Sequence, residues 1–137
     1  MKRRDAREIV FRLTYEMVMT GEYNEKTRED LLGEVNADCE STGYIDSVIS
    51  GIREHRETIE SVIKKYSVGY EFDRIYKTDL AVLYLACYEL MYTDTPHAVV
   101  VNEAVEIAKK YSDVKSHAFI NGILASVIKD GHDGGDN

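Results

Sequence analysis

Residues 80–91 are apolar at nearly every position, and Glu89 is the only charged residue among them. A helix at a protein surface has one apolar face, whereas a helix that is apolar on all sides has to be covered on all sides. The stretch is also far shorter than the roughly 18 residues that a membrane span requires. It therefore predicts a central helix with other helices packed around it, and no membrane span.

The rest of the chain has the apolar spacing of amphipathic helices, with residues recurring at i, i+3, i+4 and i+7. Stripes of this kind cover residues 4–20, 44–66, 101–108 and 119–128, and a weaker one surrounds Leu31, Leu32 and Val35. Thr78 and Asp79 are expected to cap the central helix and to place a favourable charge at its start. In the long 44–66 helix, Gly51 is expected to be a local weakness.

No strand-type alternation or internal repeat interrupts these stripes. A chain of 137 residues fits one domain. The sequence thus predicts an all-α, single globular domain of six to seven helices, arranged as two small bundles that share the central helix. The domain is expected over residues 1–130. The last seven residues, 131–137, have the sequence GHDGGDN, which predicts a disordered tail.

Charge is distributed unevenly along the chain. Residues 1–12 carry five basic side chains against two acidic ones, a net charge of +3, so the other 125 residues carry −11 of the total of −8. The basic residues are Lys2, Arg3, Arg4, Arg7 and Arg12. Guanidinium groups bind phosphate through two hydrogen bonds and stack on unpaired bases. On composition alone, an RNA-binding end and an ordinary solvated surface are equally supported.

The metal-binding residue types have no recognisable ligand spacing. None of the histidines forms the i, i+4 pair of a helical metal site; they are His55, His97, His117 and His132. Cys39 and Cys87 lie in no CxxC or CxxH pattern, so we expect two reduced thiols, no disulfide and no metal. Residues 1–10 are not followed by an apolar signal core, which favours a cytoplasmic protein.

Catalytic patterns are equally lacking, and neither a nucleophile elbow nor a phosphate loop occurs. The carboxylates cluster in the hydrophilic region 22–60, where a solvated face is the better interpretation than an acid and base pair. One interpretation of Glu89, inside an apolar helix, is a catalytic carboxyl whose pKa is raised by burial. A structural ion pair is the simpler hypothesis. We therefore expect a protein that is not an enzyme and has no cofactor.

Residues 80–128 closely resemble the C-terminal half of the NusB transcription antitermination family. The resemblance depends on the segments YEL, VNEAVEIAKKY and SHAFINGIL, and the N-terminal RRDAREIVFRLTYEM is similar to the opening helix of that family. Residues 22–43 have no such resemblance. The resemblance implies an all-helical fold of two small bundles, as the apolar spacing predicts independently.

The resemblance also implies a function. Family members bind the single-stranded boxA element of ribosomal RNA leader transcripts together with NusE, a ribosomal small-subunit protein. The resulting complex helps RNA polymerase to read through terminators. By position, Tyr15 and Asp79 match the surface used for the protein partner. The residues matched to RNA binding are Lys2, Arg3, Arg4, Arg7, Lys115, His117 and Phe119.

Two departures from the family pattern bear on the RNA surface. An acidic residue often occupies the position of Lys115, and Tyr84 replaces a basic residue that is common in the central helix. A protein-only interaction module without RNA binding is the main alternative function. An accessory domain for a methyltransferase is a third, since NusB domains also occur fused to RNA cytosine methyltransferases. Apolar spacing is equally compatible with a monomer and a homodimer.

Overall fold

The computed structural model describes residues 1–131, which contain seven α-helices, one 3-10 turn and no strand. All but Gly131 of the tail expected to be disordered lies outside the described residues. The helices are α1 (Arg3–Thr20), α2 (Glu25–Val35), α3 (Cys39–Glu54), α4 (Arg56–Tyr66), α5 (Lys77–Tyr92), α6 (His97–Tyr111) and α7 (Val114–Lys129). The 3-10 turn, Phe72–Arg74, lies in the connection between α4 and α5.

Helix α5 is the centre of the molecule. It packs against α1, α3, α4, α6 and α7, and every residue from 79 to 87 is buried. Most of the other contacts fall into two groups, with α1 meeting α2 and α3, and α7 meeting α4 and α6; the consecutive helices α3 and α4 also touch and connect the groups. The prediction of an all-α fold in which two bundles share a central helix is confirmed.

The single long helix predicted over residues 44–66 is wrong, because α3 and α4 are separate helices that meet at His55. The His55 amide still donates to the Gly51 carbonyl at 2.9 Å, and its carbonyl accepts from Ile59 at 3.0 Å, so these bonds continue across the interruption. The His55 ring stacks on Tyr92 at 4.0 Å. A one-residue interruption leaves the apolar stripe in phase, so the spacing could not reveal it.

The start of α5 also differs from expectation. Neither Thr78 nor Asp79 caps it, since the helix begins at Lys77 after Tyr76, which makes no side-chain cap bond. Asp79 does lie in the first turn, where a negative charge is favourable. Asp79 is only 3% exposed, and its carboxylate accepts hydrogen bonds from Ser112 Oγ at 3.0 Å and Ser116 Oγ at 2.9 Å. Asp79 therefore fixes the turn between α6 and α7 to the start of α5.

Gly51 is a packing residue rather than a weakness of the helix. A Cβ atom added there would lie 2.3 Å from ring and hydroxyl atoms of Tyr88 on α5. Tyr88 in turn stacks on Tyr92, with ring centroids 5.5 Å apart. The missing side chain lets α3 and α5 approach at this point.

Gly51→Ala is therefore expected to lower the free energy of unfolding by about 1–3 kcal/mol, because Tyr88 has to leave its stack. Gly43→Ala on the same helix is the matched control. A Cβ at Gly43 meets nothing within 4 Å, so alanine should stabilise the protein there by about 0.5–1 kcal/mol. Urea unfolding followed by circular dichroism measures both. Equal stabilisation by the two substitutions would show that Tyr88 moves aside without cost.

A buried ion pair joins α1 to α5. Arg7 Nε and Nη2 donate to the two carboxylate oxygens of Glu89 at 2.9 and 3.2 Å, and the side chains are 7% and 2% exposed. Tyr44 of α3 donates a third hydrogen bond to Glu89 at 3.1 Å. The structural interpretation of Glu89 is thus supported. Arg7, which the resemblance matches to RNA binding, is therefore buried, with its guanidinium held in the core by Glu89.

Arg7→Met should destabilise the protein by about 3–5 kcal/mol, because Glu89 would be left as an unpaired buried charge. Arg4→Met, on the exposed side of the same helix turn, is expected to leave the midpoint of urea unfolding nearly unchanged. The double variant Arg7→Met, Glu89→Leu should recover part of the loss, since it removes both charges together. The interpretation fails if Arg7→Met unfolds at the same urea concentration as Arg4→Met.

Candidate nucleic-acid interface

The basic residues at the start of α1 point in three directions. Lys2 and Arg3 are exposed, and the Arg3 guanidinium lies over the Tyr44 ring, 3.8 Å from its centroid. Arg4 reaches α6, and Arg7 is inside the core. Of these four residues, Lys2, Arg3 and Arg4 are therefore open to a ligand, and we call them the N-terminal basic surface.

Arg4 is exposed but already paired. Its Nε donates to Glu103 Oε1 at 3.0 Å and its Nη2 to Glu103 Oε2 at 2.8 Å. These hydrogen bonds hold the pKa of the Glu103 carboxyl below its ordinary value. One helical turn further along α1, Glu8 accepts hydrogen bonds from Lys110 at 2.7 Å and Tyr111 at 2.6 Å. The positive charge that the sequence concentrates at this end is thus partly neutralised in space.

A second cluster lies at the start of α7. It surrounds a groove of about 210 Å³, which we call the α7 groove, lined by Tyr70, Arg74, Ile75, Tyr76, Asp79, Lys115, Ser116 and Phe119. The Phe119 ring meets the Tyr70 ring edge to face, with centroids 4.8 Å apart. Two residues singled out by the family resemblance, Lys115 and Phe119, are thereby brought together with aromatic and basic side chains of the connection before α5.

The four most exposed large apolar side chains line this groove or lie within two positions of a residue that lines it. The exposed fractions are 83% for Val68, 60% for Tyr70, 71% for Tyr76 and 79% for Val114. Large apolar side chains exposed around a groove are typical of a binding face. Sequence reasoning missed Tyr70, Arg74 and Tyr76 because the connection has no helical spacing. The signal that could have found them is the aromatic and basic content of a segment without a core face.

The remaining candidate residues have different surroundings. His117 does not line the α7 groove, and within residues 1–131 its Nε2 atom is buried without a hydrogen-bond partner. Tyr15 is half-buried on α1 and lies against Phe11, with ring centroids 6.1 Å apart. Asp79, matched to the partner surface by resemblance, is buried at the wall of the α7 groove and not on an open face.

Other kinds of site find little support in the part of the chain that the structure describes. No group of three His, Cys, Asp or Glu side chains is arranged to hold a metal ion within residues 1–131. None of α1 to α7 has both the length and the apolar character needed to cross a membrane. Cys39 and Cys87 are free thiols, and burial raises the pKa of Cys87 to about 12, so this thiol stays protonated.

Known proteins resemble this chain over nearly its whole length. The model of the NusB family matches residues 4–129. The transcription antitermination protein NusB of Acetivibrio thermocellus is 40% identical over 130 residues, which cover 94% of this chain and 90% of that protein.

Two solved structures extend the likeness to the fold. T. maritima NusB superposes with a TM-score of 0.88 at 33% identity, over 96% of this chain and 93% of that one. A chain from a crystal structure of the antitermination factors NusB and NusE in complex with double-stranded RNA superposes with a TM-score of 0.83 at 26% identity, over 93% and 96%. Since the family model spans nearly the whole sequence and a relative is 40% identical over 94% of it, the chain belongs to the NusB family.

Proposed function

We propose that this protein is a transcription antitermination factor. It binds the boxA element of ribosomal RNA leader transcripts together with a ribosomal small-subunit protein acting as NusE, and so helps RNA polymerase to read through terminators. It acts in the cytoplasm by binding and not by catalysis. The observation that carries this proposal is the likeness, over 93% of the chain, to a structure in which NusB and NusE are bound to RNA.

The RNA surface that we propose combines the N-terminal basic surface with the α7 groove. Lys2, Arg3 and Lys115 are exposed cations that suit phosphate, and Phe119 with Tyr70 offers aromatic faces for unpaired bases. Arg7 contributes through the fold and not by contact, since Glu89 occupies its guanidinium.

A protein partner supplies positive charge that this chain lacks. The chain carries a net charge of −8, and the exposed carboxylates repel RNA at long range. Ribosomal proteins are typically basic, so one that docks on the acidic body would complete a composite RNA surface. Tyr15 is our candidate for direct partner contact. Asp79 acts by holding the start of α7, because its oxygens accept from Ser112 and Ser116.

The test is fluorescence anisotropy of a short labelled single-stranded boxA-like RNA, with the chain alone and with the ribosomal partner, at low and physiological salt. We expect weak, salt-sensitive binding by the chain alone and tighter binding with the partner. No binding under any of these conditions by the folded protein would favour the protein-only module. Sedimentation of the same samples distinguishes a homodimer from the assembly with the partner.

Arg3→Glu should weaken RNA binding about three- to tenfold and reduce the slope of log affinity against log salt by about 0.7, because one phosphate contact is lost. Lys26→Glu on α2 is the matched control, since it makes the same charge change at an exposed residue outside the proposed surface. Equal losses in the two variants would mean that only net charge matters and that Arg3 makes no specific contact.

Phe119→Ala should cost about 1–3 kcal/mol of RNA binding free energy if a base stacks there, with an unchanged salt slope. Because Phe119 also packs against the core, thermal unfolding of the variant has to be measured alongside. Phe119→Tyr keeps the aromatic face and should bind RNA like the parent protein. An alanine variant that is folded and binds RNA normally would assign Phe119 to the core alone.

A further inference from the structure

Glu103 of α6 holds the one arginine of the N-terminal basic surface that is paired with a carboxylate. We propose that Glu103 lowers the RNA affinity of the free protein by occupying Arg4, so that its removal strengthens RNA binding. This inference rests on the proposed function, because it concerns the same RNA surface. Glu103 would oppose RNA binding, whereas the other residues named for this surface are expected to promote RNA binding.

The Arg4–Glu103 pair has the geometry of a contact between arginine and phosphate. Two parallel hydrogen bonds of 3.0 and 2.8 Å join one edge of the guanidinium to both carboxylate oxygens. Arginine binds phosphate oxygens through the same two-bond arrangement. A phosphate therefore has to displace Glu103 from this edge, or bind a cation whose charge is already balanced.

Burial distinguishes Glu103 from a mobile surface carboxylate. Its side chain is 12% exposed, whereas that of Arg4 is 59% exposed, so the arginine is accessible and its partner is fixed on the helix. The pKa of Glu103 is lowered by the bonds from Arg4, and the carboxyl is therefore ionised at neutral pH. Arg7 is 6% exposed and bound to Glu89, so it cannot replace Arg4 on the surface.

The experiment compares E103Q with E106Q by anisotropy of the single-stranded boxA-like RNA, for the full chain with and without the ribosomal partner. Glu106 is the matched control because it lies three residues further along α6, pairs with Lys109 at 3.2 Å and loses the same charge. E103Q is expected to bind RNA about three- to fivefold more tightly, the size of an exposed ion pair, with E106Q changed much less.

Two further measurements test whether the gain comes from freeing Arg4: the salt dependence of RNA binding, and the effect of E103Q in an Arg4→Gln variant. E103Q should steepen the slope of log affinity against log salt by about 0.7, since one more cation becomes available to phosphate. In an Arg4→Gln background the gain from E103Q should vanish. Circular dichroism of each variant checks that α6 is intact. Loss of the fold would lower RNA affinity, so tighter binding by a folded variant reports on the Arg4–Glu103 contact.

Three results overturn the proposal. A weaker E103Q complex would mean that Glu103 orients Arg4 for RNA. Equal gains from E103Q and E106Q would mean that only overall charge matters. A gain that persists in the Arg4→Gln background would assign the effect to another residue. If neither the parent protein nor E103Q binds RNA with the partner present, the proposed function itself fails and this inference with it.

Discussion

The structure depends on covering α5. Its side chains are apolar around the whole helix, so α1, α3, α4, α6 and α7 all pack against it, and the two bundles are held together by sharing it. Two carboxylates are buried on it: Asp79 accepts from Ser112 and Ser116, and Glu89 is tolerated because Arg7 and Tyr44 supply three hydrogen bonds from two neighbouring helices. The apolar and the polar contacts of α5 thus specify the same arrangement of neighbours.

Sequence alone was sufficient for the helices and the central position of α5, because both follow from apolar spacing. It failed where a helix is interrupted while the apolar spacing stays in phase, as at His55 between α3 and α4. It also failed where a polar residue has a distant partner. Asp79 looked like a helix cap, yet its oxygens are bound by Ser112 and Ser116, more than thirty positions away. Local propensity contains no information about such contacts.

The candidate site was predicted in part. Family resemblance indicated Lys115 and Phe119, and the structure brings them together in the α7 groove with Tyr70 and Arg74, which the resemblance did not suggest. The basic end was overestimated, because counting charges along the chain ignores the carboxylates that other helices bring to it. Glu89 and Glu103 lie 82 and 99 positions from the arginines that they bind.

The burial of Arg7 affects how an arginine-rich segment of this kind is interpreted genetically. Selection for RNA binding would retain positions 3 and 7 alike, the first for its contact with the ligand and the second for the integrity of the domain. An alignment would then record both as equally constrained. Only the accompanying constraint on Glu89 and Tyr44 would distinguish them, because the contacts of position 7 are with the interior of the molecule and not with the nucleic acid.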